Sequence, residues 1–539
     1  MPLTTNPATA TGIKTAGTVH PAGSPLPAPE PPASASTGMA GIVSAQPSPG
    51  ARTCIVVGDL DQVQGLDLSS YSHVLWFRVS EAAGLPEQIR PASLPVKTVT
   101  LGRPDSLPAA QTVSELIELD KSRLPSVYLT TDAIGAAANA CLPIVEAIFA
   151  QFEAHAQARV FFEQVSFLFQ KNILANLRAY LGRRIPDCWA NALAGMPALV
   201  CGAGPSLDAA LAPLAHFARQ AVVFAADSAL PALARGGIPV DFAVSIDARK
   251  TPEKCLPPGA PLPDRMILAS AALPEWRERL PADRTYFISG AQKTELALAQ
   301  LGAPQTGPRV ANNCGITAFE LALYLGCSPI CLFGMDHAVD SASVPRLHCD
   351  AIAQEDIKHQ SGKNYFKVPG NYRAEVATHV YRDWHYFDHR CAGLPPGLVH
   401  NVTDRGARLR NTRLIHPADW ALPAAGADKA SRLELLAPAR ALTGPEAAKL
   451  QRHLAGLAQN AAARIAQARH ELAHGQSEKA FLAYSALFQD NHPHPLWGNY
   501  TGRVAPYLDL ARPISPSLWL RLLEEAQTLC ARLTQPDWE

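Results

Sequence analysis

Short unbroken apolar runs alternate with stretches of helical spacing along most of this chain. An apolar run without polar alternation predicts a strand buried on both faces of a parallel sheet. Such runs stand at Cys54–Val57, Val74–Val79, Val96–Leu101 and Val127–Leu129, and predict a small N-terminal α/β domain over residues 51–133. They return at Ala198–Cys201, Ala221–Ala225, Phe242–Ile246, Met266–Ala269, Thr285–Ile288 and Pro329–Phe333. These spacings are those of doubly wound α/β units, and they predict a Rossmann-like central domain over residues 197–416. Between the two groups, Ile144, Ile148 and Phe152, then Phe161, Val165, Leu168 and Phe169, recur at helical intervals and predict a helical connector over 134–196. Asn172 and Asn176 share one face of that helix and read as solvated amides. Helical periodicity takes over again at Leu450–Gln476 and Pro516–Leu533, so residues 417–539 are expected to form a C-terminal helical domain. Residues 1–50, rich in Ala, Pro, Ser, Thr and Gly, lack the apolar surface needed to offset the entropy of ordering and read as a disordered tail.

The chain is organised around the run that ends in Gly202-Ala203-Gly204-Pro205-Ser206-Leu207-Asp208. Glycines allow a sharp turn and a close approach to a ligand. Ser206 or Asp208 is placed to cap the helix that follows, whose first N–H groups would face an anion. The next two runs end in Asp227-Ser228 and in Asp247, so three strand ends converge on one crevice, where open parallel sheets bind ligands. Asn312-Asn313-Cys314-Gly315-Ile316-Thr317 repeats the pattern by opening a helix that stops at Gly326, and the following run ends at Asp336-His337. A polar stretch, Val339–Lys367, carries His348 and His359 and reads as an active-site loop or lid. Gly58-Asp59 is a weaker strand-end turn, with a structural or targeting role expected for its domain.

Composition narrows the function classes. Lys+Arg and Asp+Glu both total 47, so no field draws the chain to nucleic acid or an anionic membrane. No apolar run is long enough to span a bilayer, and Met1–Thr5 lacks the charged and apolar regions of a signal peptide. Eleven cysteines without Cys-x-x-Cys spacing predict free thiols in a reducing cytoplasm.

Three stretches carry a family resemblance. GAGPSLD with FAADSALPALARGGIPVDFAVSID, NNCGITAFELALYLGCSPICLFGMDHA at Asn312–Ala338, and VTDRGARLRNT at Val402–Thr412 resemble the core of the Maf (motility accessory factor) proteins. Archaeal-type 6-hydroxymethylpterin pyrophosphokinases share that core. The resemblance runs from about Lys171 to Thr412. It implies a sialyltransferase-like central fold and transfer of a nonulosonic, sialic-acid-like sugar from a CMP-linked donor to a Ser or Thr of flagellin or another protein. On this reading Gly202, Gly204, Pro205, Ser206, Asp227, Ser228, Asn313, Gly315 and Thr317 bind the nucleotide. Asp247, Asp336, His337 and His348 are the catalytic candidates, with either histidine as the base. No Asp-x-Asp follows a strand, no metal ligand set is assigned, and a role for Mg²⁺ stays open. Two alternatives remain: an ATP-dependent 6-hydroxymethyl-7,8-dihydropterin pyrophosphokinase, and a non-catalytic nucleotide-sugar-binding protein. The residues after Leu414 are expected to dock the acceptor.

Overall fold

A computed structural model describes residues 42–46, 51–59, 66–79, 96–100, 113, 116, 124–135, 138–290, 292–339, 346–352, 366–422, 428–442, 444–488, 498–501, 503–504 and 514–533. The chain divides into two compact units, Met1–Glu153 and Ala154–Glu539. A 45-residue helix, α1 (Ala138–Gly182), begins in the first and ends in the second.

The first unit holds a five-stranded sheet of β1 (Ile42–Gln46), β2 (Thr53–Val57), β3 (His73–Arg78), β4 (Val96–Thr100) and β5 (Ser126–Thr130), in the order β1-β5-β2-β3-β4. All neighbours are parallel except β1, which pairs antiparallel with β5. Strand β1 falls inside the stretch expected to be a disordered tail; backbone pairing along the edge of β5 orders it despite its neighbours' composition. The alternation of side chains across β2 feeds two cores: Cys54 and Val56 lie with Trp76, while Ile55 and Val57 lie with Leu75 and Phe77. Gly58 accepts from the Trp76 indole at 2.7 Å, and the Asp59 carboxylate accepts from Val79 N–H at 2.9 Å. That turn ties β2 to β3.

The second unit is built on eight parallel strands: β6 (Ala198–Cys201), β7 (Val222–Ala226), β8 (Phe242–Ser245), β9 (Arg265–Ala269), β10 (Thr285–Ile288), β11 (Ile330–Phe333), β14 (Val399–Val402) and β15 (Arg413–Ile415). A separate hairpin, β12 (Phe366–Pro369) with β13 (Glu375–Thr378), lies outside the sheet. The sheet order is β10-β9-β8-β7-β6-β11-β14-β15. The chain moves outward from β6 to β10 and then returns to place β11 on the other side of β6. Connections leave β6 and β11 in opposite directions, which opens a crevice at their carboxyl ends. Alternate residues of β6 again serve two cores: Leu199 and Cys201 on one face, Ala198 and Val200 on the other. Burial on both faces is why these strands carry no polar alternation.

Helix α2 (Leu207–Phe217) and the end of α1 cover one face, and α3 (Cys314–Tyr324) and α4 (Tyr381–Ala392) the other. Gly326, at φ 79°, follows the end of α3 in the left-handed region, as a glycine there allows. The C-terminal helices α5 (Gly444–Ala473), α6 (Ser477–Ser485) and α7 (Pro516–Leu533) lie in this same unit. Leu450, Leu454, Ile465, Trp519 and Leu522 enter the core that α1 and α2 line, so these helices are part of the α/β body's packing. No helix among the described residues is long and apolar enough to cross a membrane.

Candidate active site at the strand switch point

The glycine turn after β6 crosses the turn after β11 at contact distance. Gly202 N–H donates to Phe333 O and Gly204 N–H to Gly334 O, both at 2.8 Å. A Cβ on Gly202 would stand 2.5 Å from Gly334 O, and one on Gly204 would stand 2.6 Å from Asp336 Oδ2 and 2.7 Å from Gly334 O. The glycines were expected to admit a ligand; the space they leave is filled by the neighbouring turn. Gly204→Val therefore cannot serve as a fold-neutral block to a phosphate. It is expected to lower stability by about 1–3 kcal/mol, read as a fall in the thermal midpoint without any nucleotide present.

Asp336 braces the same crossing. Its buried carboxylate accepts Ser206 N–H at 2.8 Å and the Ser206 hydroxyl, with Thr403 Oγ1 at 3.4 Å. Burial raises its pKa, opposed by the Ser206 donors. Ser206 is fully buried and faces Asp336, not the crevice. Neither expected cap is made. Ser206 has helical backbone and no capping bond, and Asp208 accepts from Arg346 and from Asp350 N–H at 3.0 Å. With Leu207 N–H on Gly204 O, Ala203 is the turn residue whose N–H has no acceptor in the chain among the described residues.

The Asn turn opens α3 as the sequence suggests. Asn313 Oδ1 accepts Ile316 N–H at 2.9 Å, and Asn313 Nδ2 donates to Asp383 Oδ2 at 2.8 Å. Thr317 is buried, donating to Asn313 O at 2.8 Å and accepting Ala311 N–H at 3.0 Å, so its hydroxyl holds the turn together. A Cβ on Gly315 would stand 2.6 Å from Met335 Sδ, a packing reason for that glycine.

These turns border a cleft of about 580 Å³, a size suited to a small ligand. Ten of the residues singled out in the sequence line it: Gly202, Gly204, Asp227, Ser228, Asp247, Asn313, Gly315, Asp336, His337 and His348. Ser206 and Thr317 do not. Pro205 lines a separate hollow of about 360 Å³ that shares Asp336 and Ala338 with the cleft. Of the polar stretch expected as a lid, residues 340–345 and 353–365, including Asp340 and His359, lie outside the described residues.

The charged groups differ in freedom. Asp227 is fully buried and accepts Ser245 Oγ at 2.7 Å, Ser228 N–H at 2.6 Å and Lys250 Nζ at 3.1 Å. Burial, the largest single influence, would lower the pKa of Lys250, but the Asp227 carboxylate together with Cys255 and Cys314 holds the ammonium above its usual range. Asp247 is exposed, with one oxygen accepting Arg249 N–H at 2.8 Å. His337 has φ 47°, and its buried Nε2 has no partner among the described residues. Burial lowers its pKa to about 4, so it is neutral at pH 7 and a weak base. His348 borders the cleft on a loop fastened to α2 through Arg346 and Asp208. Among the described residues no group of three or more His, Cys, Asp or Glu side chains could hold a metal ion.

Asn312, the first residue of the turn singled out in the sequence, also lines the cleft, and sequence reasoning missed Arg249, Lys250, His379 and Asp383. Lys250 could have been found three residues beyond Asp247, in the same strand-end loop. Asp383 gave no signal, because α4 reaches the cleft only through tertiary packing. Burial raises its pKa, with Asn313 and Asn312 acting in the other direction.

A parallel sheet with a ligand-sized cleft at its switch point defines a doubly wound α/β protein, a fold that binds ligands beyond the carboxyl ends of its strands. Residues 171–341 match the family model described as 6-hydroxymethylpterin diphosphokinase MptE-like. Among solved structures, that of the Maf glycosyltransferase from Magnetospirillum magneticum AMB-1 aligns with 90% of this chain and 79% of its own, at 16% identity and a TM-score of 0.50. No curated protein sequence matches the chain. The chain therefore carries an MptE-like domain within the fold seen in a Maf glycosyltransferase.

Proposed function

We propose that this protein transfers a nonulosonic acid from a CMP-linked donor to a hydroxyl group of a protein, flagellin or another acceptor. The observation that carries the reading is the cleft at the β6–β11 switch point, set in a chain with the fold of a Maf glycosyltransferase. The N-terminal residues of α3, Ala203 and Arg249 all line it and suit the single phosphate of a CMP leaving group. His348 is the better-placed base for the acceptor hydroxyl, since its ring borders the cleft from a loop. Half-buried His337, with its Nε2 buried, suits a hydrogen bond to the bound donor in its neutral form. Asp336 acts through Ser206 on the glycine turn and positions it.

The matched family model favours a second reading, pterin diphosphokinase. That reaction needs Mg²⁺ held by carboxylates and ATP phosphates. Of the two carboxylates after β7 and β8, Asp227 is committed to Lys250 and Ser245, which leaves exposed Asp247. The residues fit such a Mg²⁺ site poorly. Calorimetry with CMP, CDP, ATP and GTP, each with and without Mg²⁺, separates the two. CMP is expected to bind without the metal. Binding of Mg²⁺-ATP in its place, with hydroxymethylpterin consumed, overturns the glycosyltransferase reading.

A further inference from the structure

We infer that Asn172 of α1 is a positioning residue of the cleft, holding the strand-end loop that carries Asp247, Arg249 and Lys250. The inference rests on the cleft being a ligand site, not on which nucleotide it takes. Read from sequence, Asn172 and Asn176 are solvated amides; in the fold they are 2% and 0% exposed. Asn172 Nδ2 donates to Ala248 O at 2.9 Å and to Ala271 O at 3.1 Å, joining the loops that leave β8 and β9. One helical turn on, Asn176 Nδ2 donates to Ser270 O at 2.9 Å and Ala272 O at 2.8 Å. Two helical residues four apart thus meet carbonyls of adjacent parallel strands, which have no ladder partner beyond the strand ends.

The loop after β8 is clamped at two points. Asn172 holds Ala248 O, and the indole of buried Trp276 holds Lys250 O at 2.9 Å. Arg249 lies between the clamps, and the Lys250 side chain reaches from the second to Asp227 and Ser228 at the end of β7. Asn172 therefore sets where the cleft's ion pair and Asp247 stand. An aspartate at this position keeps the size but turns two donors into acceptors facing two buried carbonyls.

The test uses the full chain, with Leu177→Ala as control. Leu177 is buried in the core on the same helix and has no polar side-chain atom to bond the loop carbonyls, so its loss removes core packing alone. In Asn172→Asp, amide hydrogen exchange over residues 247–250 is expected to rise about tenfold relative to β7, and CMP affinity to fall about tenfold. Leu177→Ala is expected to change exchange without favouring that loop. If Asn172→Asp does not fold, Asn172→Ala, which removes the donors without adding charge, is measured in its place. Unchanged exchange at 247–250, or the same pattern in Leu177→Ala, overturns the positioning role. If CMP fails to bind the wild-type chain, the exchange comparison alone decides, and the failure belongs to the proposed donor.

Discussion

Ending the chain after Leu414 is expected to abolish nucleotide binding together with the cooperative unfolding transition of the second unit. The sequence suggested the opposite, that a helical acceptor-docking segment could be removed with the core left intact. Trp420, just beyond the cut, packs its ring 5.1 Å from Phe217 and 4.8 Å from Phe333, under the strand that ends in the cleft. Lys429 makes a 2.7 Å ion pair with Asp241, whose carboxylate burial pushes up and Lys429 draws back down. Without Lys429 that carboxylate is left buried without its counter-charge, held by Val223 N–H at 2.7 Å, a change that costs about 3 kcal/mol by itself. Leu450, Leu454, Ile465, Trp519, Leu522 and Leu529 leave as well. Each contributes about 1.5–3 kcal/mol of burial, so together they match or exceed the net stability of an ordinary domain. Asn499 also bonds Gln170 on α1, Thr294, and Gln292 on the cleft wall. Circular dichroism melts and CMP calorimetry of the truncated chain check this; a truncated protein that melts cooperatively and binds CMP contradicts it.

Asp227→Ala and Asp247→Ala are expected to part company, although the two residues look equivalent as strand-end carboxylates. Asp227→Ala removes the acceptor of Ser245, Ser228 and Lys250 at a fully buried position. Its loss is expected to cost about 3 kcal/mol, the lower end for a buried pair because the Lys250 side chain is 26% exposed. Asp247 is exposed and makes no ion pair among the described residues, so Asp247→Ala is expected to shift stability by no more than about 0.5 kcal/mol. Transfer activity of Asp247→Ala is nonetheless expected to fall about tenfold or more if the carboxylate meets donor or acceptor. Chemical denaturation and glycosyl transfer, measured on both variants, separate a brace from a working group. Equal stability losses in the two would refute the assignment.

Much of the fold was legible because burial on both faces of a parallel sheet writes itself as an unbroken apolar run. All ten runs, from Cys54–Val57 to Pro329–Phe333, coincide with strands to within one residue at each end. Besides the hairpin of β12 and β13, three strands of the two larger sheets were missed, and they break that rule for local reasons. Val399–Val402 carries His400 and Asn401 in its middle, Arg413–Ile415 is a three-residue edge strand, and Ile42–Gln46 sits among residues of disordered composition. The position of the cleft was legible too, since a glycine turn and three strand-end carboxylates can converge only where parallel strands end.

What each residue does there was decided by the tertiary structure. A sequence shows that Gly202, Gly204 and Ser206 follow a strand, but not that another strand's turn fills the space above them. Strand order is set by long-range pairing, and the return of β11 to the side of β6 brings Asp336 under Ser206. It also separates buried Asp227 from exposed Asp247 and turns two helical asparagines toward loop carbonyls. Local pattern encodes which faces must be buried, because transfer from water acts on each side chain in its own stretch. It does not encode which distant group will meet a buried donor or acceptor, because that partner is chosen only when the strands have taken their order.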